Sequence, residues 1–447
     1  MNRPEKQRLP IITAAVIAAF SAEIYALPFN SMDPRALAMG GTGVASANVM
    51  SATAYNPAML ALPQEQGSYG ISFPYFGVSG YGFQDFIDFE DADYVDKLDQ
   101  AINAIPNDPD PTDTMLPGQY RDVANRAREL NGGLIDISDT PFGLDLGGGA
   151  VFGRADRQLG MAISLGATGS LAGGIYYRDA AVLDKLADDV DSFATCLADA
   201  QATYAGGSEV IPASCYASLN YIDATGQVTF DSDQDLDSSV AVTGLVMSEV
   251  ALSFATERMI EGQSVLFGVT PKIVKTTVIE YSETVNDSDS GDATDDDYTA
   301  DYSDFNLDLG ASYMPAPGWR AGFVIKNLIG QTYEFERFGV KSGRSIDVKP
   351  MARAGIAFQS DWYLLAADID LTANAAAGLG DDSRQIALGA EFIPIDWAKL
   401  RVGYRADVGN SDRSVATVGF GLFNAVDLAV AVGSDEIGGA LRFGYQF

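Results

Sequence analysis

The stretch that decides the fold is the last one, Leu441-Arg442-Phe443-Gly444-Tyr445-Gln446-Phe447, in which every odd position is apolar and every even one is polar or glycine. A period of two places Leu441, Phe443, Tyr445 and Phe447 on one face of a strand, with Arg442 and Gln446 on the other. The same alternation runs through Leu400, Val402 and Tyr404 against Arg401, Gly403 and Arg405, and through Phe305, Leu307, Leu309 and Ala311 against Asn306, Asp308 and Gly310. Two all-β architectures fit: a water-soluble sandwich with the apolar face turned inward, or a transmembrane barrel with the apolar face in lipid and a wet lumen.

The amino terminus favours the barrel. Arg3, Lys6 and Arg8 precede an apolar run from Leu9 to Phe20, and small residues at Ala22 and Ala26 offer cleavage points, so residues 1–26 read as a secretory signal. The competing reading, a membrane helix, needs about 20 apolar residues, and no later apolar run is that long. Phe447 at the end of an alternating strand also resembles the carboxy-terminal assembly signal of bacterial outer-membrane barrels.

Strands are expected at 68–83, 143–153, 158–177, 239–257, 263–281, 302–314, 318–328, 349–360, 362–371, 383–394, 398–408, 413–423, 425–433 and 437–447. This gives an antiparallel barrel of fourteen strands, an even number, with short turns on one side and long loops on the other. Short periplasmic connections fall at 154–157, 315–317, 360–361, 394–397 and 424, and the longest outer loops at 84–142, 178–238 and 282–301. Residues 219–230 are assigned to a hairpin within a loop, because counting them as a barrel strand breaks the parity.

The two largest loops carry helical stripes, Leu116, Tyr120, Val123, Ala127 and Leu130 in one and Leu183, Leu186, Val190, Phe193 and Leu197 in the other. Each stripe must cover the barrel mouth, the partner loop or another protein. Cys196 and Cys215, the only cysteines, are expected to form a disulfide in an oxidising compartment, with free buried thiols as the alternative.

Composition narrows function. With no histidine there is no Ser-His-Asp or Cys-His centre and no His-ligated zinc, so no enzyme is expected. A net charge of -33 argues against binding nucleic acid. The charge is localised: loops 84–142, 178–238 and 282–301 hold 34 acidic and 6 basic residues, which account for -28 of it. Asp287, Asp289, Asp292, Asp295, Asp296, Asp297 and Asp301, and the alternating Asp231, Asp233, Asp235 and Asp237, suit calcium in principle. Neither run has the glycine and closing glutamate of the twelve-residue calcium loop, so solvated surface charge is the plainer reading and no cofactor is expected.

Ahead of the first strand stand Arg35-Ala36-Leu37-Ala38-Met39-Gly40-Gly41-Thr42-Gly43 and Ala54-Tyr55-Asn56-Pro57-Ala58. These resemble the amino-terminal plug of the FadL-type superfamily of outer-membrane transporters and, more closely, its exported barrel branch labelled conjugal-transfer protein TraF. Ile325-Lys326-Asn327-Leu328, the segment 362–371 and Ile386 to Phe392 fit the same branch. Read as a phosphate-binding glycine loop, Gly41-Thr42-Gly43 fails, since no apolar strand precedes it and Ser46 replaces the third glycine.

The resemblance implies a plug over 27–67 inside a barrel over 68–447, with Met39, Gly40, Gly41, Gly43, Tyr55, Asn56, Pro57 and Ala58 as its motif. It further implies passage of small hydrophobic molecules of fatty-acid or hydrocarbon type, with lateral exit where a strand kinks. Gly166, Gly169, Gly173 and Gly174 in the third strand are the candidate kink; alternatively they leave room for Asn56 to Leu60. Arg401, Arg405, Arg442, Asp308 and Glu391 are candidate lumen charges, and the basic ones either draw in an anionic headgroup or pair with the acidic ones. The expected partners are outer-membrane lipid and lipopolysaccharide, and the barrel assembly machinery through the last strand. The other functional reading is a non-transporting envelope or conjugal-transfer component that acts through its surface loops.

Overall fold

The computed structural model describes residues 32–62, 68–106, 109–203, 211–229, 237–284, 296–374, 383–395, 397–409 and 413–447. The expected signal at 1–26 and most of the acidic runs lie outside them. Fourteen strands close one antiparallel barrel. They are β1 (Tyr69–Tyr81), β2 (Phe142–Arg154), β3 (Gly160–Tyr176), β4 (Ser239–Ile260), β5 (Gln263–Thr284), β6 (Thr299–Tyr313) and β7 (Trp319–Lys326), then β10 (Met351–Gln359), β11 (Tyr363–Asp370), β12 (Gln385–Ile395), β13 (Ala398–Asp407), β14 (Val415–Leu422), β15 (Val426–Gly433) and β16 (Glu436–Gln446). A separate hairpin, β8 (Gln331–Arg337) with β9 (Val340–Val348), intervenes between β7 and β10. Closure is by β1 against β16, from Gly70 opposite Gln446 to Tyr81 opposite Glu436, with one irregularity between Ser72 and Tyr75. Pro74 sits in that irregularity, where its missing N–H costs no ladder bond.

Burial along the strands is inverted relative to a soluble sandwich. On β13, Leu400, Val402 and Tyr404 are exposed, while Arg401 is 1% exposed and Arg405 is buried. On β16, Phe443 and Tyr445 face out and Arg442 is 1% exposed. An apolar outer band around a charged interior minimises free energy only when the surroundings are lipid. All three tryptophans of the chain, Trp319, Trp362 and Trp397, are exposed at strand ends on the short-turn rim. Trp397 stacks on Phe423 there, and Tyr69 on Phe447, as in the aromatic girdle of a membrane interface.

At the opposite rim the long loops build a helical cap: α3 (Gln84–Asp91), α4 (Tyr94–Asn103), α5 (Leu116–Ile137) and α6 (Ala180–Thr203), the labels α1 and α2 belonging to short helices of the plug given below. The apolar stripes of α5 and α6 cover each other, and Tyr120 meets Phe193 edge to face at 4.8 Å. Cys196 and Cys215 are disulfide-bonded. Tyr120 also donates to the carbonyl of Gly226, and burial pushes its phenol well above the usual range.

Two features depart from the sequence expectation and a third agrees with it. Helices α3 and α4 break a loop whose patterning announced only α5. The β8–β9 hairpin folds onto the inner face of the tall wall, where Tyr333, Phe335, Ile346 and Val348 join Leu245, Met247, Val274 and Val278. The hairpin expected over 219–230 is present in short form: Ile222 bridges Val228 antiparallel, and the N–H groups of Asp223 and Thr229 donate across it to the Gln227 and Tyr221 carbonyls.

Candidate functional site

The barrel interior is occupied by residues 32–62, almost all buried. Their path follows from local chemistry. Asp33 caps the short helix α1 (Pro34–Leu37) by accepting from the Ala36 N–H at 3.0 Å, with Pro34 at the first helical position, where an N–H has no helical partner anyway. Gly40 and Gly41, at φ of 70° and 90°, turn the chain out of that helix, a backbone state disfavoured for other residues. A second short helix, α2 (Ala52–Tyr55), leads into a 3₁₀ turn at Pro57–Ala61.

Asn56 joins the two motifs. Its side-chain oxygen caps the 3₁₀ turn by accepting from Ala58, and its amide donates to the carbonyls of Val44 at 2.8 Å and Ala311 at 3.1 Å. A carboxylate cannot make the last two bonds, which accounts for an amide at this position.

The plug is held to the wall by a chain of six charges. Arg442 donates to Asp33 and Asp427, both at 2.5 Å; Arg401 donates to Asp427 at 2.5 Å and Glu391 at 2.6 Å. Arg35 grips both oxygens of Glu391 at 3.0 Å and donates to the Ser46 carbonyl at 2.7 Å. Three guanidinium groups alternate with three carboxylates, so the chain is neutral, and each buried charge has at least one partner of opposite sign. It ties α1 to β12, β13, β15 and β16.

Further contacts fix the rest of the plug. Asp368 accepts from Gly43 and Val44 at 2.7 and 3.0 Å, Lys326 donates to the Ala54 carbonyl at 2.9 Å, and Thr417 bridges Ala38 and Gly40.

The second device is steric. In five places two glycines sit opposite each other on neighbouring strands and a plug residue presses against the pair. Met32 lies on Gly77 and Gly147, and Val49 on Gly70 and Gly153. Val44 lies on Gly322 and Gly355, Met39–Gly40 on Gly389 and Gly403, and Asn56–Ala58 on Gly268 and Gly310. A Cβ at Gly403 would stand 2.2 Å from the Gly40 nitrogen, and one at Gly268 2.2 Å from the Ala58 nitrogen. Both motifs of the plug therefore rest on sockets that admit no side chain.

Of the candidate lumen charges, all five point inward. Arg401, Arg442 and Glu391 belong to the charge chain, together with Asp33, Arg35 and Asp427, which sequence reasoning did not single out. Arg405 pairs with Glu436, and Asp308 with Lys272 at 3.2 Å. Among the two alternatives for the arginines, pairing with carboxylates is the one observed.

The candidate kink requires correction. β3 keeps unbroken pairing with β2 from Met161 to Gly173 and with β4 from Gly160 to Tyr176, so no gap opens there. A Cβ on Gly166, Gly169, Gly173 or Gly174 would meet wall and rim atoms such as Leu146, Phe142 and the Tyr75 hydroxyl, with no plug atom among its nearest neighbours. The shortest seam lies elsewhere: β6 and β7 share only five pairs, Leu309–Ile325 to Tyr313–Ala321. Beyond it, Asn306 and Asp308 hold the departing chain through the N–H groups of Ile329 and Asn327.

These features define a closed, inside-out barrel of membrane type with a resident amino-terminal plug. The chain belongs to the TraF family, described as "F plasmid transfer operon, TraF, protein", whose model matches residues 53–370. No curated protein matches the sequence. Among solved structures, the toluene transporter TbuX of Ralstonia pickettii is 13% identical at a TM-score of 0.45, covering 96% of this chain and 100% of its own. The toluene transporter TodX of Pseudomonas putida is 11% identical at 0.44, covering 95% and 100%. Superposition this loose adds nothing to the strand pairing already described.

Proposed function

We propose that the protein sits in the outer membrane of a Gram-negative bacterium and passes small hydrophobic molecules between the lipid phase and the lumen at the β6–β7 seam. One observation carries this reading. An apolar depression of about 510 Å³, lined by Phe254, Phe267, Leu309, Phe323 and Ile325 among others, lies on the outer wall over the seam. Directly inside the same wall, Asn56 to Ala58 rest on Gly268 and Gly310. The volume falls in the range of pockets for small ligands. Lipid and lipopolysaccharide contact follow from the apolar band, and recognition by the barrel assembly machinery is assigned to β16.

The test is uptake of toluene, alkane and fatty-acid panels by a deletion strain complemented with the parent or with a Leu309→Cys/Ile325→Cys pair. These residues face each other across the seam, so oxidation staples it. Uptake is expected to require the gene, to fall when the pair is oxidised and to recover on reduction. Equal uptake with and without the gene would remove the transport reading.

A second reading is favoured by the plug itself. Every residue from 32 to 61 other than Gly41, Asn48 and Ala54 is buried, and the motif is bonded on several sides. A filled barrel carrying a disulfide-stapled helical cap suits a scaffold that acts through its outer surface in a transfer apparatus. Loss of transfer, with uptake intact, on deleting the cap would support it.

A further inference from the structure

A second apolar hollow, of about 750 Å³, lies on the outer wall from β10 to β13. Two outward alanines on adjoining strands form its floor. Ala367 stands between Ile356 and Leu388, and Ala390 between Leu365 and Val402, all four of which are exposed. At the short-turn end an aromatic row closes the hollow: Trp319 lies against Phe358 at 5.1 Å, and Phe358 against Tyr363 at 5.8 Å. These rings belong to the rim that marks the membrane interface, so the hollow lies in the half of the wall next to the short turns. The wall is thin here. Gly389 and Gly403 line the hollow and are also the socket of Met39–Gly40, where added Cβ atoms would stand 2.4 Å from the Met39 carbonyl oxygen and 2.2 Å from the Gly40 nitrogen. A single layer of backbone therefore separates the hollow from the plug motif. Close contact on the outer side matters to this layer, because dispersion attraction falls steeply across a gap.

We propose that the hollow holds an acyl chain of a phospholipid from the leaflet on the short-turn side, and that this chain backs the strands on which Met39–Gly40 rest. The occupant follows from continuity, since the hollow opens onto the apolar band that faces lipid. No charged side chain among the described residues lines it, so the chain enters while the headgroup stays at the rim. The inference needs the lipid-facing wall alone and stands whether or not the seam passes a substrate.

The test folds the full chain, carrying Trp362→Phe and Trp397→Phe so that Trp319 is the sole tryptophan, into bilayers of dibromostearoyl phosphatidylethanolamine and extracts it in mild detergent. Ala390→Phe and Ala367→Leu, made in the same background, fill the hollow from the lipid side, and heat-modifiable migration checks that each is folded. Native mass spectrometry measures the phospholipid retained, and quenching of Trp319 by bromine locates its chain. The parent is expected to retain a phospholipid with Trp319 quenched. Each filled variant is expected to retain about fivefold less or lower, with Trp319 emission restored. Stripping the lipid from the parent is expected to speed hydrogen exchange at residues 39–41 about threefold or more. No retained lipid, equal retention in parent and both variants, or exchange unchanged by stripping overturns the proposal. Trp319 unquenched together with a dimeric mass assigns the hollow to a second copy of the chain, which overturns it as well.

Discussion

Plug and cap are both attached to the same barrel, by opposite means. The cap, out in water, buries Leu116, Tyr120, Val123, Val190 and Phe193 in an apolar core and adds a covalent staple. The plug has an apolar cluster of its own around Val44, Met59 and Leu60. Its position, however, is fixed by charge pairs and by glycine sockets. The difference follows from what each solvent leaves available. Water rewards any buried apolar surface, with little demand on orientation. In a lumen whose outer face already satisfies lipid, ion pairs with defined geometry and close backbone contact specify one placement.

The comparison breaks most severely at a socket. Gly403→Val forces a side chain into the Met39–Gly40 backbone, and the plug is expected to unseat at a cost above about 4 kcal/mol. Loss of protease protection of residues 32–62, with the cap still folded, is the readout. Gly169→Val is the matched control: the nearest atoms to its Cβ are in the Leu146 and Val246 side chains, at 3.2–3.4 Å, and a change within about 1 kcal/mol is expected.

Next in size is Glu391→Gln, which leaves Arg35 and Arg401 sharing a neutral amide. A loss of about 3–5 kcal/mol is expected, read as faster hydrogen exchange at α1 and none at α5. Cys196→Ser acts on the other side of the comparison. The 19-residue separation implies about 3 kcal/mol lost from the cap, measured by denaturant unfolding with plug protection unchanged.

The smallest effect is on pH. Asp179, between β3 and α6, accepts from the N–H groups of Asp237 and Ser238 at 2.9 and 2.8 Å and from the Ser238 hydroxyl. Burial alone would raise its carboxyl, but these bonds more than offset that and hold it below the usual range. A depressed folded value means stability present above the unfolded value near 3.9 and lost as pH falls through the folded one. Cap stability is therefore expected to be flat in this term from pH 8 to about 5 and to fall below about 4. Asp179→Asn should flatten part of that acid limb.

All fourteen barrel strands were legible because lipid enforces alternation along each of them. The β8–β9 hairpin was not read, although Tyr333 and Phe335 alternate with Thr332, Glu334 and Glu336, because its apolar face meets the inner wall and not lipid. The charge chain was half legible: Arg401, Arg442 and Glu391 declare themselves by strand parity. Arg35 and Asp33 do not, since their partners lie 356 and 409 residues away. The glycine sockets carry a signal in strand parity. Gly403 lies between Arg401 and Arg405, and Gly310, Gly355 and Gly389 each share parity with the neighbouring Asp308, Arg353 and Glu391, so they face inward. The glycines of β3 fall on both parities, so their abundance marks no single inward face.

The seam between β1 and β16 has a consequence for how the molecule is made. Asp33 precedes the first strand, and its partner Arg442 is on the last, so their bond forms only when the two ends of the chain meet in the right register. A slip of one residue would turn Arg442 into the bilayer and Phe443 against Asp33. The Arg442–Asp33 bond and the closing seam therefore share one register, which ties the alignment of the last strand to the seat of the plug.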